Sequence, residues 1–288
     1  MNHIRTFTIC AALIATIFAA AAGPALAAEQ EEGQLIAVLE ADSPKADKAI
    51  TCKGLAVYGT KNAVPALAKL LPDKELTSWA RIALEAIPGP QADAALRNAM
   101  SEVEGRILVG VINSIGVRRD AAAVDGLAAR LKDADAQVAS AAAVALGHIG
   151  NAAATAILEK SLAGGSDSVR SAVAQGLVLS AERLLADGKT GESAKLYDKI
   201  RLADVPKQRV IEATRGAILA RGSDGIPLLI EQLHSQDKRL LYIGLTTARE
   251  LPGTQVTKAL VAELDELTAD RQALLIFALA DRADTTVL

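Results

Sequence analysis

The most regular pattern of apolar positions along the chain lies between Asp135 and Gly164. Apolar residues recur there at intervals of three and four, at Val138, Ala141, Ala142, Ala145, Leu146 and Ile149. This spacing places them on one face of an α-helix. Gly150 tolerates the positive φ of a helix end, and residues 153–162 are predicted to form a return helix. The segment therefore predicts two helices joined by a short turn.

The same unit of helix, turn and second helix recurs along the chain. Each predicted second helix has a leucine near its centre, and these leucines are 29, 31, 31, 38, 33 and 31 residues apart. They are Leu67, Leu96, Leu127, Leu158, Leu196, Leu229 and Leu260. A period of about 30 residues is typical of stacked helix pairs, and no segment favours a strand. We predict an all-α fold, a right-handed α-α superhelix of about seven helix pairs.

Glycine and proline mark the turns inside most of the predicted pairs. The turns are placed at Gly59, Pro88-Gly89-Pro90, Gly116, Gly222 and Pro252-Gly253. The pair around Leu196 is longer, with a first helix reaching about Ala186 and a turn at Asp187-Gly188-Lys189-Thr190. We interpret it as an irregular repeat rather than a domain boundary.

Residues 1–27 have the pattern of a cleavable secretory signal. Arg5 precedes an apolar run from Phe7 to Ala22, and the small-residue site Ala25-Leu26-Ala27 follows. Cleavage after Ala27 and a periplasmic or secreted location are predicted. The apolar run is short for a membrane anchor, and Cys10 lacks the small preceding residue expected of a lipidated cysteine. Both of these alternatives are therefore less favoured.

Two motifs resemble bacterial HEAT repeats of the short type first named after phycobilisome lyase subunits. Asp167-Ser168-Val169-Arg170 is similar to an Asp-x-x-Arg signature, and Ala145-Leu146-Gly147-His148-Ile149-Gly150 to Ala-Leu-Gly-x-Ile-Gly. Asp237-Lys238-Arg239 is a looser match. The stretch from Cys52 through Trp79-Ala80-Arg81 to Pro90 resembles exported HEAT proteins of planctomycete and verrucomicrobial type. This resemblance implies a HEAT/armadillo-like solenoid over residues 28–288.

Charge and cysteine content argue against several functions. Removal of the signal takes away Arg5 and no acidic residue, so the formal net charge falls from −3 to −4. An acidic chain disfavours binding to a phosphate backbone, so no nucleic-acid partner is expected. Cys10 leaves with the signal, and Cys52 alone allows neither an intramolecular disulfide nor a C-x-x-C-H haem attachment site. No second span of membrane length follows the signal.

The histidines and the remaining cysteine do not suggest an active site. The histidine nearest to Cys52 in sequence is His148, about three repeats away in a solenoid whose repeats contact mainly their neighbours. We therefore interpret Cys52 as a small, partly buried apolar residue. His148 and His234 are separated for the same reason, and a metal site needs several converging ligands.

Two further motifs are also interpreted as structural. Gly188-Lys189-Thr190 resembles the end of a phosphate-binding loop, but no strand precedes it and Arg183 occupies the position of the first glycine. Glu263, Asp265 and Glu266 are predicted to form a solvated face at a helix end. We therefore predict no catalytic residue, no cofactor and no metal ligand.

A set of basic residues is the best candidate for a binding surface. In HEAT folds the second helix of each pair lines the concave surface, and a cation stands near five of the repeated leucines. These cations are Lys69, Arg97, Arg130, Lys160 and Lys199, followed towards the C-terminus by Glu231 and Glu263. We predict that the five share one side of the solenoid and favour an acidic partner.

The favoured function is that of an exported, non-catalytic scaffold that binds another protein. The alternative is the recognition arm of a larger exported enzyme or cytochrome, because HEAT repeats of this type often accompany a carbohydrate-active or haem domain. A bilin lyase activity is the weakest alternative, since export would separate the protein from cytoplasmic phycobiliproteins and a shared fold does not carry function.

The C-terminal end departs from the repeat. Residues 274–279 begin another helix and residues 281–286 are predicted to form its turn, yet the sequence stops at Leu288, where a second helix should start. A solenoid normally ends in a capping repeat with a polar outer face. We therefore expect the solenoid of residues 28–288 to be incomplete, either continued in a longer product or covered by another chain or by self-association.

Overall fold

The computed structural model of the protein describes residues 30–282, and every regular element in that part is a helix. The chain divides into two compact units, which meet in sequence at Arg118 and Arg119. The predicted signal at 1–27 lies outside the described residues, as does the C-terminal turn beyond Arg282. The prediction of an all-α fold is confirmed.

The first unit contains six helices within the described residues. They are α1, described over 30–40, α2 (Lys45–Tyr58), α3 (Val64–Ala68), α4 (Thr77–Ala86), α5 (Pro90–Glu102) and α6 (Gly105–Arg118). The first helices of successive pairs pack side by side, α2 on α4 and α4 on α6, while the second helix α3 packs on α5. Two layers result.

Within its described residues, the second unit repeats this arrangement with ten α-helices. They are α7 (Val124–Arg130), α8 (Ala136–Ile149), α9 (Ala152–Ser161), α10 (Asp167–Ala186), α11 (Thr190–Arg201), α12 (Lys207–Arg221), α13 (Ile226–Leu233), α14 (Lys238–Glu250), α15 (Thr254–Ala262) and α16 (Ala269–Ala280). One layer consists of α8, α10, α12, α14 and α16, each packed on the next. In chain order, α2 to α15 are fourteen helices, the number that seven pairs require.

The core of each unit is built from the repeated apolar positions. All seven leucines that define the repeat are buried, with no more than 3% of the residue exposed. The apolar face predicted between Val138 and Ile149 is buried as well. Burial of a leucine side chain contributes about 1.5–3 kcal/mol, so each pair is held to the next mainly by apolar packing.

Polar side chains fix where several helices begin. The Asp135 carboxylate accepts a hydrogen bond from the Gln137 N–H at the start of α8, and the Asn151 side chain accepts one from the Ala154 N–H at the start of α9. These bonds satisfy N–H groups that the helix itself leaves unpaired. Between the two helices Gly150 takes a left-handed conformation with φ 58°, as the sequence predicts.

One predicted turn is wrong. Gly116 lies inside α6 and is buried there, and the chain turns only at Arg119, with φ 54°. A single glycine inside a helix costs only about 1 kcal/mol relative to alanine. The last turn of α6 is retained because Arg118 is held by the end of α4.

Arg118 joins two successive first helices of the first unit. Its guanidinium donates hydrogen bonds to the carbonyls of Leu84 (2.7 Å), Ile87 (2.6 Å) and Gly89 (3.0 Å), and its Nε lies 2.5 Å from Asp93 Oδ1. The C-terminal carbonyls of α4 have no partner within their own helix. The planar guanidinium therefore caps that helix end from the next repeat.

Arg282 repeats this arrangement in the second unit. Its guanidinium donates to the carbonyls of Ala248, Leu251 (2.8 Å) and Gly253 (3.2 Å), at the end of α14. The sequence separations of 34, 31 and 29 residues are the same as those of the Arg118 bonds. The cap is therefore a repeated element of the fold.

Candidate binding surface

The described part of the second unit contains a groove of about 770 Å³ between two successive helix pairs. Its apolar floor includes Leu131 and Ile157, which are partly exposed, with Ala139 and Val173 almost fully buried beside them. The helices position these residues because α8 and α10 pack side by side while α7 and α9 end beside them. Such a volume falls in the range of about 300–1,000 Å³ typical of binding pockets.

Two lysines and one aspartate line the groove. Lys132 follows α7 and Lys160 lies near the end of α9, and both are exposed. Neither forms an ion pair with a described residue. The Asp133 carboxylate lies 3.2 Å from Arg130 Nη1, so its charge is balanced within the protein. The groove therefore presents two cations above an apolar floor.

Lys160 is one of the five predicted partner-binding residues, and the structure places it directly in the groove. Arg130 contributes indirectly, through its ion pair with Asp133. Arg97 is half-buried on α5 in the first unit. Lys69 belongs to the first unit and Lys199 to the second, so a single stripe shared by all five cations stays a prediction.

The charges of Lys69 and Lys199 are balanced by carboxylates from the preceding second helix. Lys69 Nζ lies 3.4 Å from Glu40 Oε1, and Lys199 Nζ lies 2.7 Å from Glu159 Oε1. Sequence reasoning missed both acidic partners. The spacing of Glu40 and Lys69, 29 residues, equals one repeat and could have indicated that pair, whereas Glu159 and Lys199 are 40 residues apart across the irregular repeat.

The carboxylate of Glu263 is covered rather than solvated as predicted. His234 Nε2 lies 2.5 Å from Glu263 Oε1, and only 14% of the Glu263 side chain is exposed. The short 3-10 helix Glu263–Glu266 gives the two residues this proximity, while Asp265 and Glu266 remain exposed as expected. Glu231 is exposed on α13.

A sequence profile for HEAT repeats matches residues 104–178, which include every residue that lines the groove. This segment of the chain contains HEAT repeats. No curated protein matches it in sequence.

Solved structures with helical repeats resemble the chain at low identity. An engineered protein is 19% identical, covering 86% of this chain and 77% of its own, with a TM-score of 0.41. Human deoxyhypusine hydroxylase, in complex with glycerol, is 18% identical, with 77% and 96% covered and a TM-score of 0.39. The complex of CpcE and CpcF of phycocyanin lyase from Nostoc sp. PCC7120 is 18% identical, with 85% and 92% covered and a TM-score of 0.35. All three TM-scores are below 0.5, so nothing about function follows from them.

The first unit exposes apolar side chains on α2 and α4, which precede the segment matched by the HEAT-repeat profile. Ile50 and Val57 lie on α2, and Trp79 and Ile82 lie on α4, which packs against α2. Ile50 and Val57 are seven residues apart and Trp79 and Ile82 are three apart, so the two residues on each helix share one face. Clustered exposed apolar residues mark contact surfaces more often than isolated ones do.

Cys52 is buried in the first unit and has no exposed area. Burial raises the pKa of its thiol to about 11, because a thiolate would lose its hydration there. The thiol is therefore protonated at neutral pH and poorly suited to nucleophilic attack. The prediction that Cys52 packs as a small apolar residue is confirmed, although the residue is fully rather than partly buried.

Two kinds of feature are absent from the described residues. No group of three or more histidine, cysteine or carboxylate side chains in residues 30–282 could hold a metal ion. No helix in that range is both long and apolar enough to cross a membrane.

Proposed function

We propose that the protein is an exported scaffold that binds another protein through its HEAT repeats and performs no chemistry of its own. The observation that supports this most directly is the groove between α7, α8, α9 and α10. It combines an apolar floor with two lysines that have no carboxylate partner among the described residues. Protein interfaces combine an apolar centre with a polar rim in the same way.

The export of the scaffold is part of this proposal. The signal pattern at 1–27 supports it, with cleavage after Ala27 and a periplasmic or secreted product. Fractionation of cells that express the full chain, followed by amino-terminal sequencing, tests this part. Product that starts at Ala28 and fractionates outside the cytoplasm supports export, and uncleaved cytoplasmic product contradicts it.

Affinity capture from an envelope extract of the source bacterium tests the binding role. Residues 28–288 are immobilised as the wild type, as Lys132→Glu/Lys160→Glu, and as the control Lys258→Glu. Lys258 is exposed on α15 and lies outside the groove. We expect mass spectrometry to find a protein that is retained by the wild type and the control and lost from the double variant.

If the immobilised wild type retains no protein that the empty matrix does not also retain, the scaffold proposal is wrong. A partner retained equally by all three proteins would move the binding surface away from the groove, for instance to the apolar residues Ile50, Val57, Trp79 and Ile82. Circular dichroism and thermal melts of the three proteins must agree, so that loss of capture reports on binding rather than on folding.

A further inference from the structure

The groove presents different chemistry at its floor and at its rim. Leu131, Ile157 and Val169 give the groove an apolar floor without charge, and Leu131 and Ile157 are partly exposed there. An apolar group placed on this floor loses contact with water, which contributes roughly 25 cal/mol per Å² of buried apolar area. The floor therefore selects an apolar side chain.

The rim selects negative charge. Lys132 lies just after the end of α7 and Lys160 near the end of α9, and neither has an ion-pair partner among the described residues. Asp133, the one acidic residue that lines the groove, lies 3.2 Å from Arg130. Carboxylates on either side of a bound apolar group could therefore form ion pairs with the two lysines. Asp133 would repel them little, because Arg130 balances its charge.

The lining argues against a nucleic acid as the occupant. Bases of a single strand stack on aromatic rings or on arginine, and none of the residues that line the groove is aromatic or an arginine. Two lysines also neutralise few phosphates, whereas binding to a nucleic-acid backbone depends on many such contacts.

We propose that the groove binds a segment of a partner protein in which an apolar side chain stands between carboxylates. This inference rests on the proposed scaffold function and specifies the partner's chemistry at the same site. The apolar side chain packs on the partly exposed floor residues Leu131 and Ile157. The carboxylates pair with Lys132 and Lys160 at the rim.

Fluorescence anisotropy with defined peptides tests the inference on residues 28–288. The probe is a short fluorescein-labelled peptide of alternating leucine and glutamate, flanked by glycine and serine. One reference peptide replaces leucine by serine, and the other replaces glutamate by lysine. We expect the leucine–glutamate peptide to bind at least about tenfold more tightly than either reference, since each reference lacks one of the two contacts.

The protein variants assign the binding to the groove. Lys132→Glu/Lys160→Glu should abolish binding of the probe, and Lys132→Gln/Lys160→Gln should weaken it to an intermediate level. The control Lys258→Glu should bind as the wild type does, since Lys258 does not line the groove. The neutral double variant also guards against misfolding caused by the reversed charges.

Three outcomes would overturn the inference. The serine–glutamate peptide could bind as tightly as the probe, which would make the groove a simple anion site. A labelled single-stranded oligonucleotide could bind more tightly and lose affinity in the same variants. The probe could also fail to bind while partner capture still depends on Lys132 and Lys160, in which case the scaffold function stands and only the segment chemistry falls.

Discussion

Gly147 of α8 lies against Gly176 of α10 so closely that a Cβ atom on Gly147 would stand 2.4 Å from the Gly176 Cα. In the other direction, a Cβ on Gly176 would stand 2.5 Å from the carbonyl oxygen of Ala143. Only glycine allows this approach of two backbones. Packing between successive repeats therefore explains Gly147, the first glycine of the Ala-Leu-Gly-x-Ile-Gly motif.

Gly147→Ala and Gly176→Ala are each expected to destabilise the protein by roughly 1–3 kcal/mol, because the two helices must move apart to admit the methyl group. Gly191→Ala is the matched control, since nothing lies within 4 Å of a Cβ at that position in α11. That control should be neutral or stabilising by up to about 1 kcal/mol. Thermal melts followed by circular dichroism compare the three, and similar losses at all positions would disprove the close packing.

Arg118→Lys is expected to destabilise the first unit by about 2–4 kcal/mol. A lysine cannot reach the carbonyls of Leu84, Ile87 and Gly89 together, and buried carbonyls without partners are costly. Arg106→Lys, at an exposed position on the same helix, should change stability by less than about 0.5 kcal/mol. Fluorescence of Trp79, the single tryptophan, reports urea unfolding in this unit. Equal midpoints for the two variants would show that the cap contributes nothing.

Leu158→Asp should disrupt the second unit far more than Glu159→Ala. Leu158 has no exposed area, and its Cδ1 is 3.0 Å from where a Cβ of Gly176 would stand, so a carboxylate there would be buried without a partner. Glu159 loses only its ion pair with Lys199, and pairs as exposed as this one contribute about 0–1 kcal/mol. Thermal midpoints measure both. Equal midpoints would mean that the register of the repeat is wrong.

Acid should weaken the second unit partly through Asp198. Burial tends to raise the pKa of this carboxyl, but hydrogen bonds from Arg201 and Arg221 outweigh burial and hold the pKa below its ordinary value of 3.8. A lowered native pKa stabilises the fold above the unfolded pKa, and this contribution is lost as the pH falls through the native value.

Urea melts of the wild type and Asp198→Asn at a series of pH values check this contribution. Asp198→Asn should be less stable near neutral pH, and its stability should decrease less than that of the wild type below about pH 4. Arg221→Gln should show the same flattening, because the pKa of Asp198 then returns towards 3.8. Parallel pH profiles for all three proteins would contradict the assignment to Asp198.

The helical repeat could be predicted because it depends on local periodicity. Leu67, Leu158 and Leu260 stand at the same place in their repeats, and each is buried. The turn at Gly116 was misplaced because the glycine signal is local. The contacts that extend α6 come from Arg118 to carbonyls 31 and 34 residues earlier in the chain.

The candidate site was accessible from sequence only in part. Lys160 could be selected as a cation near a repeated leucine, but the groove beside it arises from how four helices and two loops meet. Whether a lysine is paired depends on the register between neighbouring helices. That register gives Lys199 a carboxylate from Glu159 and leaves Lys160 without one among the described residues.

The last prediction concerns the reactivity of Cys52. Burial keeps its pKa at about 11 and its sulfur away from solvent, so Ellman's reagent should react slowly with the native protein near pH 8. In urea the same thiol should react at the rate of a free cysteine. Ala153→Cys in a Cys52→Ala background supplies the control, since position 153 is exposed on α9. This control should react rapidly without urea. Rapid labelling of native Cys52 would instead reveal an accessible thiolate, and it would count against the proposal that the protein performs no chemistry of its own.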